Sequence, residues 1–172
     1  MFLNFRLMEE VDARAILEWN YEPPYDIYNA SLSSIEEDVR TMLEPQNCYY
    51  AIADEDNDLV TFYRFGQDAR VPGGDYSAPA LDLGSGLRPD LTGQGLGLIL
   101  VNAGLEFARV TFAPSAFRVT VAAFNKRALR VYHKAGFLDT QSFNRADGRE
   151  FTILMREALA MSMYLTSNLG YA

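Results

Sequence analysis

The sequence predicts an α+β (mixed α/β) domain built on a twisted, mostly antiparallel sheet, and three observations carry that expectation. Apolar residues switch between strand-like runs and helical stepping in the order βααβββαβαββ. That order fits a mostly antiparallel sheet with one parallel join at the strand–helix–strand step. The chain has 172 residues, 49% of them hydrophobic, which suits one domain with a sizeable core, and no repeat or linker divides it.

The elements follow in order. Leu3–Arg6 reads as a short strand, and Ala13, Ile16 and Leu17 recur at helical spacing from about Asp12 to Trp19. Ser34 and Glu37 have the spacing of a capping box, and Ile35, Val39, Met42 and Leu43 then share one helical face up to Pro45. Cys48–Asp54 and Leu59–Phe65 read as a hairpin around the acidic turn Glu55-Asp56-Asn57-Asp58. A third run, Ala80–Leu87, carries Gly84, Ser85 and Gly86; glycine inside a strand signals a bulge or a close approach. A helix from about Gly95 to Arg109 is set by Leu98, Val101, Leu105 and Ala108. A buried strand follows at Phe117–Ala122. Asn125 then caps a helix bearing Ala128, Val131, Tyr132 and Ala135, which Gly136 ends. Strands at Phe137–Phe143 and Glu150–Met155 flank an Asp147-Gly148 turn. The tail from Glu157 to Ala172, a C-terminal extension in this reading, fits a helix, an oligomer contact such as a homodimer's, or a disordered end.

Composition narrows the function. Fifteen basic against twenty-three acidic side chains give a formal charge of −8, which disfavours a nucleic-acid partner and suits cationic amines. One cysteine, Cys48, rules out an internal disulfide framework, and with the single histidine, His133, it leaves no zinc-site spacing, so no metal is expected. No stretch approaches the roughly 20 apolar residues of a membrane helix, and the N-terminus lacks a secretory pattern; a cytoplasmic protein without a membrane partner is the expectation.

The chemistry is concentrated in Leu87-Arg88-Pro89-Asp90-Leu91-Thr92-Gly93-Gln94-Gly95-Leu96-Gly97, a strand end, a glycine-rich turn and a helix start in succession. Glycines let a backbone approach a ligand closely, and the unpaired amides and dipole of the first helical turn attract phosphate. The spacing Gly93-x-Gly95-x-Gly97 is not the dinucleotide fingerprint, and no Lys-Ser or Lys-Thr follows as in a P-loop.

This run resembles the acetyl-CoA signature Q/R-x-x-G-x-G/A of the GNAT superfamily, with Gly95 and Gly97 on its fixed positions and Thr92 in place of the usual Gln or Arg. Asn125-Lys126-Arg127-Ala128 through Tyr132 to Gly136-Phe137 is similar to the family's N-x-x-A-x-x-x-Y-x-x-x-G-F segment. The resemblance spans roughly Leu59 to Met155 and includes members like the bacterial ribosomal-protein alanine N-acetyltransferases. It implies a single GNAT domain over residues 1–172, a central sheet flanked by about four helices, and transfer of an acetyl group from acetyl-CoA to a primary amine, either a protein N-terminus or a small molecule.

The resemblance also assigns roles. It implies a cofactor site made of Leu87, Arg88, Thr92, Gly93, Gln94, Gly95, Leu96 and Gly97, with Arg88 also reaching phosphate oxygens and Asn125 touching the pantetheine arm. It implies that Tyr132 protonates the leaving thiolate, a task suited to a phenol of ordinary pKa about 10. The family often places a Glu general base on the strand before the loop; in this chain Asp82 is the carboxylate available, and strand alternation sets it opposite Leu81 unless a bulge shifts the register. Trp19 to Tyr28, with aromatics, two prolines, Glu22 and Asp26, reads equally as a substrate wall or as a cap on the core. His133 and Cys48 read as structural. The rival to an enzyme is an acyl-CoA-binding module whose chemistry has lapsed.

Overall fold

The computed structural model describes residues 2–158. Its strands are β1 (Asn4–Leu7), β2 (Tyr49–Ala53), β3 (Leu59–Phe65), β4 (Leu81–Leu87), β5 (Ala116–Ala122), β6 (Leu138–Asn144) and β7 (Glu150–Glu157). Its α-helices are α1 (Glu10–Leu17), α2 (Ile35–Leu43), α3 (Gly97–Phe112) and α4 (Lys126–Lys134), in the βααβββαβαββ order the sequence predicts. The tail beyond residue 158 lies outside the described residues.

Element ends differ from expectation for local reasons. Helix α3 starts at Gly97 rather than Gly95 because Gly93 and Gly95 hold φ of +77° and +81°, outside the helical basin. It runs on to Phe112, where Ala113 turns left-handed at φ +45°. At α2 the Ser34–Glu37 capping box does not form: the Ser34 hydroxyl donates to Asp38 at 2.7 Å, so it holds a side chain rather than a backbone amide. Asn125 caps α4 as expected, its Oδ1 accepting from the Ala128 N–H at 3.0 Å.

The strands form one sheet in the order β1-β2-β3-β4-β5-β7-β6, antiparallel throughout except for the β4–β5 join. Helices α3 and α4 cover one face. Val101, Leu105 and Tyr132 pack there against Tyr63, Phe65, Leu83, Phe117 and Leu154. Helices α1 and α2 pack on the other face, where Ala13, Ile16, Val39 and Met42 meet Tyr49 and Ala51. Each large side chain buried this way contributes about 1.5–3 kcal/mol.

Helix α3 sits close to the sheet because Gly104 has no side chain. A Cβ there would lie 2.5 Å from Cζ of Tyr63, whose hydroxyl reaches past the helix surface to donate to the Leu100 carbonyl at 3.0 Å. The glycines of β4 have the same kind of cause. Pairing with β3 is regular from Leu83 to Leu87, so there is no bulge; Arg64 and Phe62 lie over Gly84 and Gly86, where a Cβ would come within 2.8 and 2.3 Å of their side chains.

Candidate active site

Strands β4 and β5 pair only at Leu81–Leu83 with Phe117–Val119. Beyond that point Gly84–Leu87 pairs with β3 alone and Thr120–Ala122 with β7 alone, so the two strands part and open a wedge in the sheet. Antiparallel alternation directs the backbone groups of Asp82 and Arg88 to β3, where Asp82 O accepts from the Gly66 N–H and Arg88 N–H donates to Val60 O. The N–H and C=O of Ser85 and Leu87 therefore face the wedge, unpaired by a strand; the Ser85 groups and the Leu87 N–H are open to a ligand's amides, while the Leu87 carbonyl accepts from the Tyr21 hydroxyl.

The glycine-rich loop stands at the tip of β4. Nothing lies within 4 Å of a Cβ built on Gly93 or Gly95, so positive φ, not crowding, is what requires glycine there. Gly97 has a different reason: a Cβ would meet Val131 at 3.0 Å, and its absence brings the start of α3 against α4. Among the described residues, no N–H from Gly93 to Ile99 donates to a protein acceptor; the first paired amide is that of Leu100, bonded to Leu96 O. Free amides at the positive end of a sixteen-residue helix form a patch that attracts an anion.

Side chains of the loop brace it. The Thr92 hydroxyl donates to Pro89 O at 2.8 Å and Gln94 Nε2 to Asp90 O at 2.7 Å. Arg88, expected to reach phosphate, is occupied elsewhere: Nε and Nη2 bind Asp90 at 2.8 and 3.2 Å, and Nη1 donates to Leu59 O at 3.0 Å. The guanidinium in turn holds the Asp90 carboxyl below its ordinary pKa. Its part is to fasten the loop to β3.

Tyr132 is buried on the inner face of α4, and its hydroxyl lies 3.4 Å from Ser85 Oγ on β4. Burial raises its pKa above that of an ordinary phenol while the Ser85 hydrogen bond opposes the rise, so the group is a protonated donor at neutral pH. Asn125 meets other partners. Besides capping α4, its Nδ2 donates to the Tyr28 hydroxyl at 3.3 Å.

Asp82 is corrected from a candidate base to a structural group. It is 3% exposed, and its Oδ1 and Oδ2 accept from Arg118 Nε and Nη2 at 2.5 and 2.9 Å while Oδ2 also accepts from Arg70 Nε at 2.8 Å. Regular pairing of β4 keeps it on the face opposite Leu83 and Ser85, away from Tyr132. A buried carboxylate that accepts three hydrogen bonds from two guanidiniums, on the face away from the wedge, is poorly placed to take a proton from an amine there.

The stretch flagged as a substrate wall crosses the opening. From the tip of β4, the Leu87 carbonyl accepts from the Tyr21 hydroxyl at 2.8 Å. At the tip of β5, Tyr25 and Tyr28 pack on Phe124 with ring centroids 5.9 and 6.2 Å apart, and the Arg127 guanidinium lies 4.6 Å over the Tyr25 ring. The chain thus spans both lips of the wedge. Cys48 is half-buried at φ +47°, and His133 is exposed, facing Asp139 at 2.7 Å.

Three participants were not singled out in sequence: Ser85, Tyr63 and the Tyr21–Leu87 bond. Ser85 left the one usable trace, a small polar residue between two glycines inside a strand. Among the described residues, no group of three or more His, Cys, Asp or Glu is placed to hold a metal ion, and no helix is long and apolar enough to cross a membrane.

Comparison with known proteins agrees with this architecture. The fold is similar to a spermidine N-acetyltransferase chimera from Vibrio cholerae and human SSAT (TM-score 0.68, 19% identity, 95% of this chain and 98% of that one). It is similar to the Vibrio cholerae spermidine N-acetyltransferase solved with CoA and spermine (0.67, 18%, 95% and 98%) and to a phosphinothricin N-acetyltransferase structure (0.67, 20%, 92% and 100%). No curated protein sequence matches the chain. The sequence profile of the acetyltransferase (GNAT) domain matches residues 3–138, from β1 to the start of β6. A match over that much of the chain decides the family: the protein belongs to the acetyltransferase (GNAT) domain family and is an acetyl-CoA-dependent N-acyltransferase.

Proposed function

We propose that the wedge between β4 and β5 binds acetyl-CoA as acyl donor and that Tyr132 delivers the proton the departing thiolate needs. The observation that carries this reading is the run of free amides from Gly93 to Ile99 at the start of α3, beside a strand whose Ser85 and Leu87 backbone groups face the same opening. The amides suit a pyrophosphate, and the strand edge suits the amides of a pantetheine arm. Tyr132, held protonated by burial, stands where the two strands part. No base is assigned to the chain; the amine is deprotonated through water, and holding it against the thioester supplies much of the rate.

The acceptor in this reading is a small amine. A strap fixed to the tip of β4 by Tyr21 and to the tip of β5 by Tyr25 and Tyr28 closes the groove that an extended peptide would occupy. Aromatic faces there, one already under a guanidinium, favour a cation. The named acceptors of the similar structures, spermidine and phosphinothricin, are small amines too. A cytoplasmic enzyme forming one GNAT domain, with or without a homodimer contact, is consistent with this role.

Calorimetric titration with acetyl-CoA tests the donor site, using the intact protein and Gly95→Val. A β-branched residue at φ +81° costs roughly 1–2 kcal/mol or displaces the loop, so affinity should fall by about fivefold to thirtyfold or more. Absence of saturable binding to the intact protein overturns the donor site. Acetylation of N-terminal peptides in preference to small polyamines overturns the acceptor class.

A further inference from the structure

The Ser85 hydroxyl has a place in the chemistry that neither the glycine loop nor Tyr132 explains. Register pairs Ser85 directly with Tyr63 across β3 and β4, so both side chains leave the same face of the sheet, toward α3 and α4. Its neighbours have no side chains, because Arg64 and Phe62 occupy the space on the other face. The result is a single hydroxyl at the point where β4 leaves β5, between two buried phenols.

Those phenols differ in what they can offer. Tyr63 has committed its proton to the Leu100 carbonyl at 3.0 Å, which leaves only oxygen lone pairs facing Ser85. The Tyr132 hydroxyl, 3.4 Å from Ser85 Oγ, has no second protein partner among the described residues. A serine hydroxyl has one proton and two lone pairs and rotates freely. It can therefore accept from Tyr132 while donating toward Tyr63, or turn and donate to Tyr132.

We propose that Ser85 is a positioning residue for acyl transfer, holding the Tyr132 phenol at the wedge and turning its proton onto that oxygen when Tyr132 becomes phenolate. The inference rests on the reading of Tyr132 as the proton donor. In the transfer the amine nitrogen forms a bond to the thioester carbonyl carbon, the carbon–sulfur bond breaks, and its electron pair leaves on sulfur. Tyr132 gives its proton to that sulfur, and the proton lost by the nitrogen returns to the phenolate through water, so the enzyme ends as it began. Ser85 transfers no proton; it supplies a charge-assisted hydrogen bond to a phenolate that would otherwise form unsupported in a buried site. Burial pushes both Tyr63 and Tyr132 up in pKa, and the nearby Ser85 hydroxyl opposes the rise in each. The 3.4 Å separation is long for a neutral pair and shortens as charge develops on the phenol oxygen.

The test is steady-state kinetics on Ser85→Ala, Ser85→Thr, Tyr132→Phe and the Ser85→Ala/Tyr132→Phe double variant, with acetyl-CoA affinity measured by titration for each. Ser85 is exposed to the opening, so both of its substitutions leave the core untouched. Ser85→Ala should lower kcat by about tenfold to a hundredfold, the worth of a hydrogen bond to a charged group, with KM and acetyl-CoA affinity nearly unchanged. Ser85→Thr keeps the hydroxyl and should recover most of the rate. In the Tyr132→Phe background, loss of Ser85 should cost nothing more. A slowed Tyr132→Phe beside an unaffected Ser85→Ala, or losses that multiply in the double variant, overturns the role of Ser85 alone. Unchanged turnover in Tyr132→Phe overturns the proton-donor reading and takes this inference with it.

Discussion

Replacing Asp82 with Asn separates a structural carboxylate from a catalytic one. Arg118 is 1% exposed, and its guanidinium is neutralised by Asp82 through two hydrogen bonds of 2.5 and 2.9 Å. Asn keeps the shape and one acceptor oxygen but removes the charge, leaving the Arg118 cation inside the protein with that oxygen, the Ala78 carbonyl at 2.8 Å and the Tyr76 ring at 4.9 Å as its uncharged partners. Removing one member of a buried ion pair costs about 3–5 kcal/mol, and those two partners place the loss toward the lower end. For a chain of this size the expected fall in Tm is roughly 6–20 °C. Denaturant melts of the intact protein and Asp82→Asn measure the loss, and initial rates taken well below both transitions measure turnover, which should change by less than about threefold. A second variant, Asp82→Ala with Arg118→Met, should recover part of the stability because it removes the stranded charge along with its partner. Intact stability in Asp82→Asn together with a fall of about a hundredfold in turnover would restore Asp82 as the base and sink its assignment to the structural ion pair.

Two further predictions concern packing and pH. Gly104→Ala should destabilise by about 1–2 kcal/mol, because a methyl 2.5 Å from the Tyr63 ring costs more than the better helix propensity of Ala returns; a stabilised variant in urea melts would mean that α3 does not press on Tyr63. Burial pushes the Tyr21 and Tyr49 phenols up to about 12 and raises Tyr63 and Tyr132 as well. Above pH about 10 the unfolded chain releases these protons while the folded chain retains them, so stability should hold below that pH and fall as pH rises through 10 toward 12. Tyrosinate absorbance beside denaturant midpoints across that range checks it; a flat stability profile would contradict the burial.

The order of elements, the glycine-rich turn with its unpaired amides and the buried tyrosine of α4 were legible because each is written in neighbouring residues. Helical and strand periods are local, Gly93, Gly95 and Gly97 stand together at a strand–helix junction, and Asn125 and Tyr132 occupy one short helix and its cap. Local spacing also misled. Ser34 and Glu37 have the spacing of a capping box, yet the serine hydroxyl found Asp38 closer.

The fate of Asp82 was not written near Asp82. Its partners are Arg70 in the preceding loop and Arg118 in a strand on the far side of α3, brought together only when β4 and β5 pair in parallel over three residues. The same holds for Ser85, whose neighbours are set by the register of β3 against β4 and by the face of α4 that turns inward. Strands, helices and the gathering of free amides at Gly93–Ile99 follow from backbone conformation residue by residue, and the order of residues is enough to place them. Which carboxylate is buried and paired, where the sheet splits and which hydroxyl meets Tyr132 depend on contacts between residues far apart in the chain, and those exist only once the sheet and its helices have packed.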